Sequence, residues 1–137
     1  MNFDDYQLHA STTTGPADDA VYNLAVKPFL DLATTQEEAQ ALAIVHVLLR
    51  LNYAITGIAN EAGEVGGKMK KLIRDGRGII DDEFKMMLEA EMGDVLWYMA
   101  DICSVLELRL DDVAEGNLQK LRHRAKAGTL QGDGDTR

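Results

Sequence analysis

One cysteine, Cys103, stands in 137 residues, so no intrachain disulfide can form and a reducing, cytosolic compartment is the default expectation. Prolines number only two, Pro16 and Pro28, and β-branched runs are scarce, which works against a many-stranded sheet. Abundant Ala, Leu, Glu, Met and Lys favour helices instead. The three histidines, His9, His46 and His123, are isolated, and none forms a Glu-x-x-His pair, which counts against a di-iron bundle site. Cations are also in deficit: 14 Lys and Arg against 23 Asp and Glu leave a net charge of −9. So acidic a surface disfavours nucleic acid and anionic membrane as partners unless the cations gather in one place.

They do gather. Lys68, Lys70, Lys71, Arg74 and Arg77 form one group, and Lys120, Arg122, Arg124 and Lys126 a second. The opening Met1 to Gln7 is acidic and lacks an apolar core, so no signal peptide is expected. A long apolar run does exist, from Ala39 to Asn60, but Arg50 sits at its middle, where a bilayer centre would charge about 2.5–3.5 kcal/mol. A buried helix is the expectation there, in one domain large enough to build its own core.

Along the chain, residues 2–13 read as a short helix ended by Thr12-Thr13-Thr14-Gly15-Pro16. Residues 16–35 form a variable connecting segment, with one or two helical turns around Val21 to Leu32 interrupted by Pro28. Thr35 followed by Glu38 is a capping-box pattern that opens a helix to about Arg74, with a break expected near Arg50 to Asn52. Its core stripe is Leu51, Ile55, Ile58, Ala62, Val65, Met69 and Leu72. After a turn at Asp75-Gly76, Asp81 is the N-cap of a helix whose stripe is Phe84, Leu88, Val95, Met99, Ile102 and Leu106. Residues 111–125 form the last helix, acidic at its start and basic at its end, and residues 128–137 an exposed tail.

Within these helices Glu61 and Glu64 are three residues apart, as are Glu91 and Asp94, and residues at that spacing share a face. Two facing helices would present four carboxylates to one cavity, tolerable only if cations neutralise them or they protonate. Oxygen-only ligands without cysteine or histidine favour a hard ion, Mg²⁺ or Mn²⁺. Glu-x-x-Glu pairs also occur on solvated helix faces. Against that bland reading, Glu91 falls inside an apolar stripe and Gly57, Gly63, Gly66, Gly67 and Gly93 cluster nearby, each costing about 1 kcal/mol relative to Ala in a helix. Such glycines make sense where helices approach closely or a ligand needs room. Lys68 and Lys71 continue the face of Gly57, Glu61 and Glu64 and are candidates for phosphate binding, and Asn117, Lys120 and Arg124 draw a polar line on the last helix. His46, the methionines, Trp97 and Tyr98 read as packing residues first, with base stacking the second reading for the two aromatics, and Cys103 shows no sign of activation.

Three blocks, GIANEAGEVGGKMKKLIRDG, EAEMGDVLWYMADICSVLEL and DDVAEGNLQKLRHR, resemble those of MazG-like nucleoside triphosphate pyrophosphohydrolases. The resemblance implies an all-α bundle of four to five helices over residues 1–127, assembled as a homodimer or homotetramer with sites lined by more than one subunit. It implies hydrolysis of an NTP or dNTP to the monophosphate and pyrophosphate in the cytoplasm of a bacterial or phage-infected cell. Metal would be held by Glu61, Glu64, Glu91 and Asp94, with Glu61 or Glu64 taking the water's proton. Lys68, Lys71, Asn117, Lys120 and Gln7 would contact the substrate. The closing GTLQGDGDTR resembles the tail of phage members, which leans the reading toward deoxynucleotides such as dGTP. Asn60 departs from the family pattern, standing where many members carry another glutamate. The rival class is a non-catalytic helical oligomer whose acidic face meets water or a partner.

Overall fold

Three of the described helices start where the sequence supplies a side-chain cap. In the computed structural model, which describes residues 1–15, 19–20, 22–76 and 78–129, α1 spans Phe3–Ser11 and opens with a capping box between Asn2 and Asp5. A π-helical turn, Tyr22–Val26, runs into the short α2, Lys27–Leu30, where Pro28 sits in the first turn and its missing N–H costs nothing. Thr35 and Glu38 cap α3, Gln36–Arg74, as expected. Asp81 accepts from the Phe84 N–H at 2.8 Å to open α4, Asp82–Val105. The last helix, α5, spans Leu110–Lys126. Arg77, parts of the connecting segment (16–18 and Val21) and the tail from 130 onward lie outside the described residues. Gly128, at φ 69°, and Thr129, whose N–H bonds to the Arg124 carbonyl at 2.9 Å, close α5.

The expected break near Arg50 to Asn52 is absent. Helix α3 runs unbroken for 39 residues, about 58 Å at 1.5 Å per residue. No proline or glycine falls between Gln36 and Thr56, and Arg50 is held from outside by Asp101 of α4, at 2.6 Å. Helices α3 and α4 are antiparallel and make the main packing of the fold. Helix α1 lies on α4, and α5 on both. One buried cluster joins these three, made of Ala10, Ala100, Cys103 and Leu110 with Tyr6, Leu96 and Trp97 around it.

Reciprocal capping ties α1 to α5. Arg109, the residue before α5, gives no side-chain cap. The N–H groups of Leu110 and Asp111 donate instead to Gln7 Oε1 (2.9 Å) and Asp4 Oδ1 (3.1 Å) of α1. Asp111 Oδ1 in turn accepts from the Phe3 N–H at 2.9 Å. Orphan donors at both helix starts are thus satisfied across the interface.

Two expectations about burial need correction. The apolar half of α3 is not buried within one chain: Ile44 is 61% and Leu48 58% exposed, and Val45 and Val47 are also open. It remains the one helix, among the described residues, long and apolar enough to cross a membrane by length and composition. The stripe is also split. Leu72 is buried and Leu51, Ile58 and Val65 are half-buried, whereas Ile55, Ala62 and Met69 turn to solvent. A stripe of period 3.5 drifts around a straight helix, so one neighbouring helix covers only part of it.

Candidate functional site

Three cross-helix contacts set the register of α3 against α4: Arg50 with Asp101, Gly57 with Tyr98, and Lys68 with Glu91. At residue 57 a β-carbon would stand 2.3 Å from Tyr98 Cε1, so the absence of a side chain is what lets the ring lie on the backbone. Of the five helical glycines named above, only Gly57 has this role; an added β-carbon at Gly63, Gly66, Gly67 or Gly93 meets nothing within 4 Å.

One turn beyond this contact the carboxylates converge. Glu61, Glu64 and Glu91 each offer an oxygen, and the three oxygens lie within 4.8 Å of one another. Lys68 Nζ is 3.0 Å from Glu91 Oε1, in a half-buried pair that offsets part of this charge. Asn60 Nδ2 donates to both Glu61 Oε1 and Glu64 Oε1 at 3.3 Å, drawing the two glutamates together. Asp94, the fourth expected member, is exposed and outside this set. Its charge is felt at Tyr98 and Tyr6, whose phenols it helps to raise. An oxygen-only set at this spacing suits a divalent ion of the Mg²⁺ or Mn²⁺ kind.

Two clefts flank the carboxylates along α3. One, of about 480 Å³, is lined by Leu49, Asn52, Tyr53, Thr56, Gly57, Asn60 and Glu61 of α3 with Ala25 and Tyr98. Tyr98 hydrogen-bonds Tyr53, and this bond, with burial and the charges of Glu61 and Asp94, pushes its phenol up to about 12. It stays neutral at any physiological pH. The other cleft, of about 400 Å³, is lined by Lys68 and Lys71 with Leu72, Gly76, Ile79, Asp81, Glu83, Phe84 and Met87.

The remaining expected contacts lie elsewhere. Asn117 and Lys120 line a separate groove with Leu96, Met99, Val113 and Ala114. Both ends of the Gln7 amide are engaged, Nε2 donating to the Leu108 carbonyl (2.8 Å) and Ser104 Oγ (3.3 Å), and Oε1 accepting from Leu110. Trp97 packs on the core cluster and donates to Thr13 Oγ1 at 2.7 Å, a packing residue as expected. Burial pushes the Cys103 thiol up, in keeping with an inert core residue. Sequence reasoning missed Asn52, Tyr53, Thr56 and Asp101. The signal for Asn52 and Thr56 was available, since Asn52, Thr56 and Asn60 recur every four residues through an apolar run.

The sequence model described as MazG nucleotide pyrophosphohydrolase domain matches residues 51–129, which contain all three carboxylates and both lysines of the second cleft. The Gene 37 protein of Mycobacterium phage L5 is 44% identical over 87 residues, covering 64% of this chain and 76% of that protein. No solved structure matches the chain. The chain belongs to the MazG nucleotide pyrophosphohydrolase family, whose members are hydrolases of nucleotide phosphoanhydrides and in general depend on a divalent metal.

Proposed function

We propose that this protein hydrolyses nucleoside triphosphates, deoxynucleotides foremost, to the monophosphate and pyrophosphate, with Mg²⁺ or Mn²⁺ held by Glu61, Glu64 and Glu91 and completed by Asp94. The observation that carries this is the convergence of three carboxylate oxygens within 4.8 Å from two antiparallel helices, beside two lysines. Where such groups crowd together, repulsion and desolvation oppose them, and a divalent ion removes both penalties. When bound, that ion supplies charge neutralisation for the phosphates and acidifies water.

The chain's own residues do the rest. A water oxygen forms the new bond to the α-phosphorus, the bond from that phosphorus to its bridging oxygen breaks, and pyrophosphate leaves with the electron pair. Glu64, the exposed member of the cluster, takes the water's proton, with Glu61 as the alternative base. Lys68 and Lys71 meet the charge that grows on the leaving pyrophosphate. Asn60 holds Glu61 and Glu64 in register. Gln7 positions the α4–α5 turn in this reading and does not touch substrate.

Asn117 and Lys120 reach the phosphates from a second copy in a homodimer or homotetramer. Two facts support this: they line a groove apart from the carboxylates, and much apolar surface on α3 and α4 is uncovered in one chain. A lone buried thiol accords with a reducing cytoplasm, bacterial or phage-infected.

Incubation with each ribo- and deoxyribonucleoside triphosphate in Mg²⁺, with products resolved, tests the reaction. Monophosphate and pyrophosphate are expected. Diphosphate with orthophosphate would place the attack at the γ-phosphorus and overturn the proposed reaction, and no turnover in Mg²⁺ or in Mn²⁺ would leave the rival reading of a non-catalytic helical oligomer.

A further inference from the structure

Polarity along one face of α3 changes in three steps. From Leu49 to Asn60 the cleft-lining groups are neutral: the Asn52 and Asn60 amides, the Thr56 hydroxyl and the Tyr53 phenol, joined by Tyr98 from α4. Glu61, Glu64 and Glu91 follow, and then Lys68 and Lys71. A ligand lying along this face meets first neutral hydrogen-bonding groups, then anions that call for a metal, then cations.

The neutral cleft has features of a built recognition site. Its volume of about 480 Å³ falls in the range of small-molecule pockets. Gly57 forms its floor, and the Tyr98 ring fixed against that glycine, edge-on to Tyr53 at a centroid separation of 6.0 Å, forms an aromatic wall. The side chains of Asn52 and Thr56 make no hydrogen bond to any other described residue, although a helical threonine commonly bonds back to the carbonyl four residues earlier. Both are available to a ligand. A carboxamide and a hydroxyl one turn apart beside an aromatic wall suit the edge of a planar, uncharged heterocycle rather than a phosphate, which would find no cation there.

We infer that this cleft takes the nucleobase of the substrate, with Asn52 and Thr56 reading its hydrogen-bonding edge, so that these two residues set base preference while the phosphates extend toward Lys68 and Lys71. The inference rests on the proposed triphosphate hydrolysis. It predicts that base discrimination lives on α3, in residues that touch neither metal nor phosphate.

The test compares the four common deoxynucleoside triphosphates and inorganic tripolyphosphate, a base-free probe, by equilibrium binding with Ca²⁺ in place of Mg²⁺. Wild type, Asn52→Ala and Thr56→Val are the proteins used, and Mn²⁺ binding is followed by electron paramagnetic resonance. Wild type is expected to prefer one base by about tenfold or more, since a site built to hydrogen-bond a substrate rejects analogues lacking the match. Each variant should compress that preference to within about threefold, the scale of one lost neutral hydrogen bond against a solvated reference. Tripolyphosphate and Mn²⁺ affinities should not move. Unchanged base ratios in both variants, or a loss shared equally with tripolyphosphate, would overturn the assignment while turnover by wild type left the hydrolase reading intact. If wild type binds Mn²⁺ but no nucleotide, both readings fall.

Discussion

Tyr98 rests on Gly57 so closely that the two residues act as one contact: no side chain larger than hydrogen fits at position 57 unless the ring moves. The ring is also one wall of the cleft beside Glu61, so packing between α3 and α4 and the shape of the candidate site depend on the same pair.

Gly57→Ala should therefore cost stability, although alanine is the better helix former. Overpacking of about 1–3 kcal/mol opposes a propensity gain of about 1 kcal/mol. Chemical denaturation should show a net loss in wild type, and a neutral or stabilising effect of the same substitution in a Tyr98→Ala background. Equal losses in both backgrounds would mean that the ring is not what excludes the methyl group.

Arg50 and Asp101 form an ion pair in which the Asp101 side chain is 4% exposed. Arg50→Met should destabilise by about 3–5 kcal/mol, because it removes a guanidinium that faces a buried carboxylate. Arg50→Met combined with Asp101→Leu should recover much of that loss. A single substitution that leaves the melting temperature unchanged would show the pair to be dispensable.

Glu107 adopts a left-handed conformation, φ 55°, at the end of α4, where the N–H groups of Glu107 and Leu108 bond to the carbonyls of Ser104 (3.3 Å) and Cys103 (2.8 Å). Glycine ordinarily fills this position. The left-handed region costs an L-residue about 1–2 kcal/mol, and glycine's extra freedom when unfolded returns about 0.5–1 kcal/mol of that. Glu107→Gly should stabilise by the difference, roughly 0.5–1 kcal/mol, read as a higher denaturation midpoint at unchanged slope.

The hydrogen bond from Arg109, with the backbone bond from Asp111, holds the Asp4 carboxyl below its ordinary 3.8. A carboxyl lowered on folding stabilises the fold above that ordinary value, and the contribution disappears as pH falls through the lower folded one. Above pH 3.8 wild type should therefore melt higher than Asp4→Asn, with the gap closing as the pH is lowered below that point. A gap that widens in acid would contradict the assignment.

At the carboxylates, Glu61→Gln and Glu91→Gln should each lower Mn²⁺ affinity and turnover by roughly 100-fold or more, given that even outer-shell changes cost up to that much. Far-ultraviolet circular dichroism should be unchanged, because neither residue caps a helix. Asp94→Asn should abolish turnover with helicity intact, if Asp94 completes the metal set.

Local signals in the sequence were sufficient for the all-α class, for the Thr35/Glu38 and Asp81 caps, for the helix ends near Arg74 and Lys126, and for the three carboxylates that meet out of the four expected. These follow from spacing within a few residues: a side chain reaches an N–H three positions on, and residues three or four apart share a helix face. What the tertiary structure decided is everything that depends on which helix lies opposite. It joined Arg50 to Asp101 and left α3 unbroken at Arg50, placed Gly57 under Tyr98, turned Gln7 into a clasp for α5, and set Asn117 and Lys120 in a groove of their own. A one-dimensional pattern repeats every few residues, but contacts between residues 51 or 103 positions apart depend on how helices pack, which no local repeat encodes.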